Sequence, residues 1–158
     1  MAWRVLEWIA RLALGALFVY AGYVKLRNPF LFELAVDGYR LLPPTGVILV
    51  ARGLPWLEVA LGLLLWSGWK LHYSATFTAL LLGAFLVTMT ITYARGIEAQ
   101  CGCFGTSEPI SPRTLARDSL IFAAAAALAG RAWQQRLRKT KPAPTAEVSS
   151  QEVPVAKV

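Results

Sequence analysis

Both cysteines of the chain, Cys101 and Cys103, lie in one short polar segment, "EAQCGCFGTSEPISPRT". Thiols separated by a single residue can close a small disulfide ring, and Gly102 gives the backbone the freedom that so tight a bend requires. Such a ring is strained, and strain makes a disulfide easier to reduce. The ring also encloses almost no chain, so it adds little stability. The pattern therefore favours thiol–disulfide exchange over a structural crosslink.

The surroundings of the pair favour the reactive form of a cysteine. Three cations, Arg95, Arg113 and Arg117, flank the cysteine pair. A helix is predicted to begin about eight residues after the pair, with Ser111 as N-cap and Pro112 at the first helical position. Cations and a helix N-terminus both stabilise a thiolate, which is the attacking species in disulfide exchange.

Two other interpretations of the pair remain open. The cysteines can be unreactive loop residues or can bond to another chain. They can also bind zinc or copper, although the single histidine, His72, is predicted at the opposite face of the membrane. A metal site would then need ligands from a second subunit. We therefore expect no metal site within one chain.

The composition indicates a membrane protein. Of the 158 residues, 56% are hydrophobic and 16% are charged, and the mean hydropathy is +0.50. A soluble domain has about 45–50% apolar and about 25% charged residues. The net charge of +7 would suggest nucleic acid as a partner of a soluble protein. In a membrane protein, basic residues mark topology instead. We therefore expect a lipid bilayer and no nucleic acid as the partner.

Four segments are long and apolar enough to cross a bilayer, which takes about 20 residues. Backbone polar groups cannot stay unpaired in lipid, so each segment is predicted to be an α-helix. The expected fold class is all-α, a four-transmembrane-helix bundle within a membrane domain of residues 1–134. A disordered cytoplasmic tail is expected over residues 135–158, which lack periodicity. The four segments cover approximately residues 5–26, 45–69, 74–93 and 112–133.

A shorter helix is predicted between the first two spans, in "RNPFLFELAVDGYRLLPP". Its apolar residues recur at helical spacing, so we expect an amphipathic helix on the membrane surface, stopped by Pro43 and Pro44. The residues of this apolar stripe are Phe30, Leu34, Tyr39 and Leu41.

The orientation of the chain follows from its basic residues. Four spans place both termini on one side, and the C-terminal flank "RAWQQRLRKTK" is strongly basic. By the positive-inside rule, this side is cytoplasmic. The cysteine segment then lies on the periplasmic face of a multi-pass protein of the cytoplasmic (inner) membrane, where disulfides persist.

Charged residues inside the second span need partners. Unpaired charge in a membrane is costly and usually faces the bundle interior. Arg52 and Glu58 are six positions apart on one helix, poorly placed to pair with each other. We expect partners on the first span, such as Arg11 or Lys25, which lie on one stripe with glycines that permit close helix contact. Such charges either lock the bundle together, or Glu58 handles a proton or lines a cofactor pocket.

Several motifs occur in a recognisable order along residues 4–133. They are "RLALGALFVYAGYVKLRNPFLFELAVDGYRLLP", then "LPWLEVALGLLLWSG", then "CGCFG" followed by "ISPRTLARDSLI". The first two resemble DoxX-like membrane proteins, and the last combination resembles the MauE family of methylamine-utilisation proteins within that group.

The resemblance implies a four-helix integral membrane protein associated with redox chemistry. The MauE family is linked to maturation of methylamine dehydrogenase, a periplasmic enzyme with many disulfides, and to a thioredoxin-like partner. The resemblance also implies that the two cysteines are the redox pair and that the residues around them support it. Carried over by position, these residues are Cys101, Gly102, Cys103, Phe104, Gly105, Arg117 and Asp118, the last two matching the "RD" that opens the family's last helix.

The resulting hypothesis is a membrane thiol–disulfide component that exchanges a disulfide with a periplasmic thioredoxin-like protein. Arg113, Glu58 and Lys25 are its further supporting residues. By analogy with four-helix oxidases of the DsbB and vitamin K epoxide reductase type, electrons pass on to membrane quinone, although those proteins carry additional cysteines that this chain lacks. The alternatives are a non-catalytic membrane scaffold or assembly factor for a redox partner, and a small metal-handling membrane protein. Methylamine as a substrate does not follow from the resemblance.

Overall fold

The computed structural model describes residues 2–102 and 109–140. Within these ranges the secondary structure is helical apart from one isolated β-bridge, between Gln100 and Pro109. The predicted all-α class is therefore confirmed. The five helices are α1 (Ala2–Arg27), α2 (Pro29–Gly38), α3 (Pro44–Ser67), α4 (Leu71–Ala94) and α5 (Pro112–Thr140).

Three of the helices, α1, α3 and α4, have the length and composition of membrane spans, which makes the chain a multi-pass membrane protein. The helix α5 does not meet this criterion. Its uncharged stretch, residues 119–130, lies between Asp118 and Arg131 and is only about 18 Å long at 1.5 Å per residue. The four-span count is thus not confirmed. The helix continues to Thr140, so residues 135–140, assigned to the tail, are helical, and residues 141–158 lie outside the described ranges.

The helices α1 and α3 pack closely because glycines face each other across the contact. A Cβ atom on Gly22 would lie 2.7 Å from the carbonyl oxygen of Pro55. One on Gly62 would lie 2.8 Å from the carbonyl oxygen of Gly15. Backbone atoms cannot move aside as side chains do, so a side chain at either position would push the helices apart. The close contact predicted from the glycine stripe of the first span is confirmed.

We expect Gly62→Ala to destabilise the protein by about 1 kcal/mol, because overpacking a tight contact displaces the backbone. The matched control is Gly53→Ala in the same helix, where an added Cβ meets nothing within 4 Å. Thermal unfolding in detergent measures both. Equal melting temperatures for the two variants would contradict the close α1–α3 contact.

The start of α1 and the end of α5 lie at the same end of the bundle. Gln135 Nε2 donates a hydrogen bond of 2.7 Å to Glu7 Oε2. Arg136, one residue further along α5, contacts the ring of His72 at the start of α4. The segment that carries Cys101 follows the other end of α4. The histidine and the cysteine therefore lie at opposite ends of the bundle, as the sequence predicted.

The short helix α2 forms where the sequence predicted it and packs on α3. Phe32 and Val36 bury against Val47 and Ala51. Two members of the predicted apolar stripe, Phe30 and Leu34, are exposed, 69% and 53% respectively. Tyr39 is not part of that exposed face. It is buried within the protein, so its assignment to the membrane-facing stripe is wrong.

Candidate redox site around Cys101

Cys101 lies in the segment between α4 and α5 and is 2% exposed. Its backbone is fixed by Tyr39, whose Oη donates a hydrogen bond of 2.6 Å to the Cys101 carbonyl oxygen. Residues 99 and 110, on either side of residues 103–108, are also bonded, since Ile110 N donates to the Ala99 carbonyl oxygen at 3.1 Å. These bonds satisfy buried backbone groups and hold the cysteine in one position.

The sulfur of Cys101 lies between a carboxylate and a guanidinium group. Its Sγ is 3.9 Å from Asp118 Oδ2 and 3.9 Å from Arg117 Nη2. Arg117 Nε also donates to Asp118 Oδ1 at 3.0 Å, so the two charged groups form an ion pair. A carboxylate can accept the thiol proton, and a cation stabilises the thiolate that results. The arrangement is therefore suited to generating a nucleophilic sulfur.

The first turn of α5 positions this ion pair. Thr114 N donates to Ser111 Oγ at 3.3 Å, and Ser111 N donates in return to Thr114 Oγ1 at 2.8 Å. This reciprocal capping confirms Ser111 as the predicted N-cap. Arg117 and Asp118 follow in the next turn of α5, so the capped first turn fixes where the ion pair lies.

Gly102 follows Cys101 in a conformation that favours glycine, with φ of +64°. A Cβ atom there would lie 3.0 Å from Ala35 Cβ, so the position has little room for a side chain. Both observations explain why glycine suits this position, and its role in closing a disulfide ring stays a prediction. The remaining motif residues, Cys103, Phe104 and Gly105, lie outside the described residues.

Lys25 and Glu58 form a buried ion pair deeper in the bundle, with 2.5 Å between Nζ and Oε1. The two residues are 3% and 4% exposed. Phe32 and Phe85 contact the ammonium group, with ring centroids 4.9 and 5.3 Å from Nζ. The cross-helix partner predicted for Glu58 is confirmed. Arg52, the other charged residue of α3, is exposed.

A polar cleft opens beside the site at the start of α5. Its volume is about 570 Å³, and its lining includes Arg117 and the exposed Arg113. The structure thus brings Cys101, Arg117 and Asp118 together and places Arg113 in the adjoining cleft. In the part of the chain that the structure describes, no group of three or more His, Cys, Asp or Glu side chains could hold a metal ion.

Two neighbours of Cys101, Tyr39 and Met89, were not identified as site residues from the sequence. Met89 Sδ lies 4.0 Å from the Cys101 sulfur. Neither residue belongs to the motif around the cysteines, and their proximity depends on how α2 and α4 pack. The available signal is a tyrosine at helical spacing directly after the last residue of α2, and that spacing also fits a membrane-facing position.

We expect Tyr39→Phe to loosen the cysteine segment, because a buried carbonyl oxygen loses its donor, at a cost of about 1 kcal/mol. The rate of Cys101 alkylation by a small neutral reagent should rise several-fold as the segment opens more often. Tyr93→Phe, at an exposed tyrosine near the end of α4, is the control. Identical alkylation rates in both variants would contradict the anchoring role of Tyr39.

The family model that matches this sequence is described as "Methylamine utilisation protein MauE", and it matches residues 3–131. The chain belongs to the MauE family. The methylamine utilization protein MauE of Paracoccus denitrificans is 34% identical over 125 residues, which cover 77% of this chain and 67% of that protein. MauE of Paracoccus versutus is 31% identical over 124 residues, with the same shares covered. No solved structure gives a significant match. The family inferred from the sequence motifs is thereby confirmed, and it links the chain to methylamine utilisation.

Proposed function

We propose that this MauE-family protein is a membrane thiol–disulfide exchange component that acts through Cys101 and Cys103 on a periplasmic thioredoxin-like partner. The observation that carries the proposal is the position of the Cys101 sulfur, 3.9 Å from both the Asp118 carboxylate and the Arg117 guanidinium. A buried structural cysteine has no need of a proton acceptor and a cation at its sulfur. A nucleophilic cysteine needs both.

The exchange consists of two balanced steps. The Cys101 thiolate attacks a sulfur of the partner's disulfide, a new S–S bond forms between the two proteins, and the partner's other sulfur leaves as a thiolate that takes up a proton. The Cys103 thiolate then attacks the Cys101 sulfur and releases the partner's second thiolate, which is protonated in turn. Two electrons and two protons pass to the partner. In the reverse direction the same steps oxidise it.

The polar cleft next to Arg117 supports a protein partner at this site. Arg113 and Arg117 line it together with Pro109, so a partner segment seated there would lie next to the cysteine. Maturation of disulfide-containing periplasmic proteins, of the methylamine dehydrogenase type, is the process that this exchange would serve in the family.

The proposal includes the membrane arrangement of the chain. We place the cysteine segment on the periplasmic side of the inner membrane and both termini in the cytoplasm, with α5 as a fourth crossing within a membrane domain of residues 1–134. The bond between Glu7 and Gln135 supports this arrangement because it places the start of α1 and the end of α5 together. The basic residues that follow residue 130 support a cytoplasmic position for that end.

In this proposal, membrane quinone is the electron acceptor for the direction in which the pair oxidises its partner. The partner's dithiol would reduce the Cys101–Cys103 disulfide, and the resulting cysteine dithiol would pass two electrons and two protons to the quinone, which re-forms the disulfide. An apolar pocket of about 320 Å³ lies between α2, α3 and α4, a volume within the usual range for small-molecule sites. Its lining includes Phe85, Leu54 and Tyr39, and Tyr39 is bonded to the Cys101 backbone. These residues fit an apolar ring, and a quinone bound there would supply a two-electron acceptor for the cysteine pair.

Serine variants of the two cysteines test the exchange. We expect one of Cys101→Ser and Cys103→Ser to accumulate a mixed disulfide with a thioredoxin-fold protein in cells, because the remaining cysteine cannot resolve the intermediate. Non-reducing electrophoresis and mass spectrometry detect the adduct, and the double variant is the control. Wild-type maturation of periplasmic disulfide proteins in both single variants, with no adduct in either, would reject exchange in favour of a non-catalytic scaffold or assembly factor.

A further inference from the structure

A small cavity lies between the buried ion pair and the cysteine site. Its volume is about 30 Å³, more than the ~10–15 Å³ that a water molecule needs. Glu58 and Asp118 are the polar residues in its lining, and the remaining lining residues, among them Ala21 and Phe85, are apolar. The cavity therefore has room for water and has carboxylates from two helices to hold it.

One carboxylate oxygen of Glu58 has no hydrogen-bond partner among the residues that the structure describes. Its Oε1 is bonded to Lys25 Nζ, but its Oε2 is buried and finds no donor among the described residues. Burying an acceptor without a donor is unfavourable, because the atom loses its hydrogen bonds to water and gains none in return. A donor is therefore expected in the cavity that Glu58 lines. Asp118, also in the lining, is 8% exposed and has its Oδ2 3.9 Å from the Cys101 sulfur.

We propose that this cavity holds an ordered water joining Glu58 Oε2 to Asp118, and that Glu58 receives through it the proton that Cys101 releases. The step rests on the exchange function proposed above. The S–H bond breaks as the Asp118 carboxylate takes the proton and becomes a carboxylic acid. Asp118 then passes a proton to the water, its own O–H bond breaks, and the water gives a proton to Glu58, on which a new O–H bond forms. No electrons are transferred and the net charge of the site is unchanged. The Cys101 thiolate is then ready to attack.

The charged and titratable groups around this route come from four helices or their ends. In the described residues they are Lys25 of α1, Tyr39 after α2, Glu58 of α3, and Arg117 and Asp118 of α5. The helix α4 contributes side chains that do not titrate near the route, such as Met89 and Phe85. Lys25 and Arg117 keep the two carboxylates paired with cations, so the proton moves between two ion-paired acids.

Internal transfer gives the thiol a distinctive pH profile. When the proton moves from Cys101 to Glu58, the site as a whole keeps the same number of protons. The fraction of Cys101 that is thiolate by this route therefore does not depend on bulk pH. We expect the rate at which Cys101 reacts to level off at a plateau as the pH is lowered. A cysteine that loses its proton to bulk water slows tenfold for each pH unit.

The experiment uses the full chain carrying Cys103→Ser in lipid nanodiscs, with methyl methanethiosulfonate as a small neutral reagent. The rate of Cys101 modification is followed from neutral to acid pH. We expect the plateau in this parent protein and its loss in Glu58→Gln. Ala21→Leu, which fills the cavity and leaves both carboxylates in place, should lose it too. Ala60→Leu, the same change at an exposed residue of α3, should keep it.

The outcomes separate this inference from the proposed function. A plateau that survives both Glu58→Gln and Ala21→Leu would overturn the role of Glu58 and its water. A parent protein without a plateau would overturn it as well. Neither result would affect mixed-disulfide trapping, which tests the exchange itself. Thermal unfolding of each variant distinguishes a folded protein that lacks the plateau from a misfolded one. Ala21→Leu keeps the Lys25–Glu58 ion pair, so its effect on the plateau does not depend on losing that pair.

Discussion

Replacing Lys25 with methionine is expected to reduce the free energy of unfolding by about 3–5 kcal/mol, because Glu58 would be left as an uncompensated charge inside the bundle. Both side chains are almost fully buried, at 2% and 6% exposed, so bulk solvent does not replace the lost cation. Methionine retains most of the length and apolar contact of the lysine stem. Reversible unfolding in mixed micelles measures the change.

The double variant Lys25→Met/Glu58→Gln is the decisive control, since it removes both charges at once. We expect it to recover much of the stability lost in Lys25→Met, because two neutral side chains of similar size avoid the cost of burying either charge alone. Losses that simply add in the double variant would show that the two residues are not coupled. The 2.5 Å contact would then have no energetic consequence.

Replacing Arg117 with glutamine is expected to slow modification of Cys101 by a neutral thiol reagent about ten- to a hundredfold at neutral pH. The guanidinium group lies close to the sulfur, with Nη2 at 3.9 Å, and an opposite charge at this distance strongly favours the ionised form of the thiol. Loss of Arg117 also removes the cation that pairs with Asp118. Glutamine retains hydrogen-bonding groups and part of the side-chain length.

The matched control is Arg113→Gln, one turn earlier on the same helix. Arg113 is exposed in the polar cleft, where water and salt screen its charge. We expect its loss to change the modification rate less than about threefold at physiological ionic strength, since screened surface charges contribute little. Equal effects of the two substitutions would indicate that general surface charge, and not the contact at the sulfur, controls the thiol.

The sequence predicted the features that depend on local pattern or on the cost of burying charge. The Ser111 cap follows from residue type and spacing next to Pro112. A cation on α1 as the partner of Glu58 follows because a membrane forces buried charges to find partners. The sequence left Arg11 and Lys25 as alternatives, and the packing of α1 on α3 selects Lys25. The cap and a cation partner on α1 depend only on one helix or on two helices in contact, so the sequence pattern was enough to predict them.

Other features depended on how distant segments pack. Tyr39 and Cys101 are 62 positions apart, and only the docking of α2 on α3 brings the tyrosine hydroxyl to the cysteine carbonyl oxygen. The cavity between Glu58 and Asp118 requires contributions from α1, α3, α4 and α5 together. The end of α5 was placed too early, since the helix continues through polar residues that have high helix propensity but no apolar periodicity.

The central claim, that Cys101 and Cys103 interconvert between dithiol and disulfide at the outer face of the membrane, is tested most directly by differential alkylation of intact cells. Free thiols are labelled first, disulfides are then reduced and labelled with an isotopically heavier reagent, and the peptide carrying both cysteines is quantified by mass spectrometry. We predict a substantial heavy fraction that becomes light after brief treatment of the cells with a membrane-impermeant reductant. A peptide with the same labels before and after that treatment would contradict the claim.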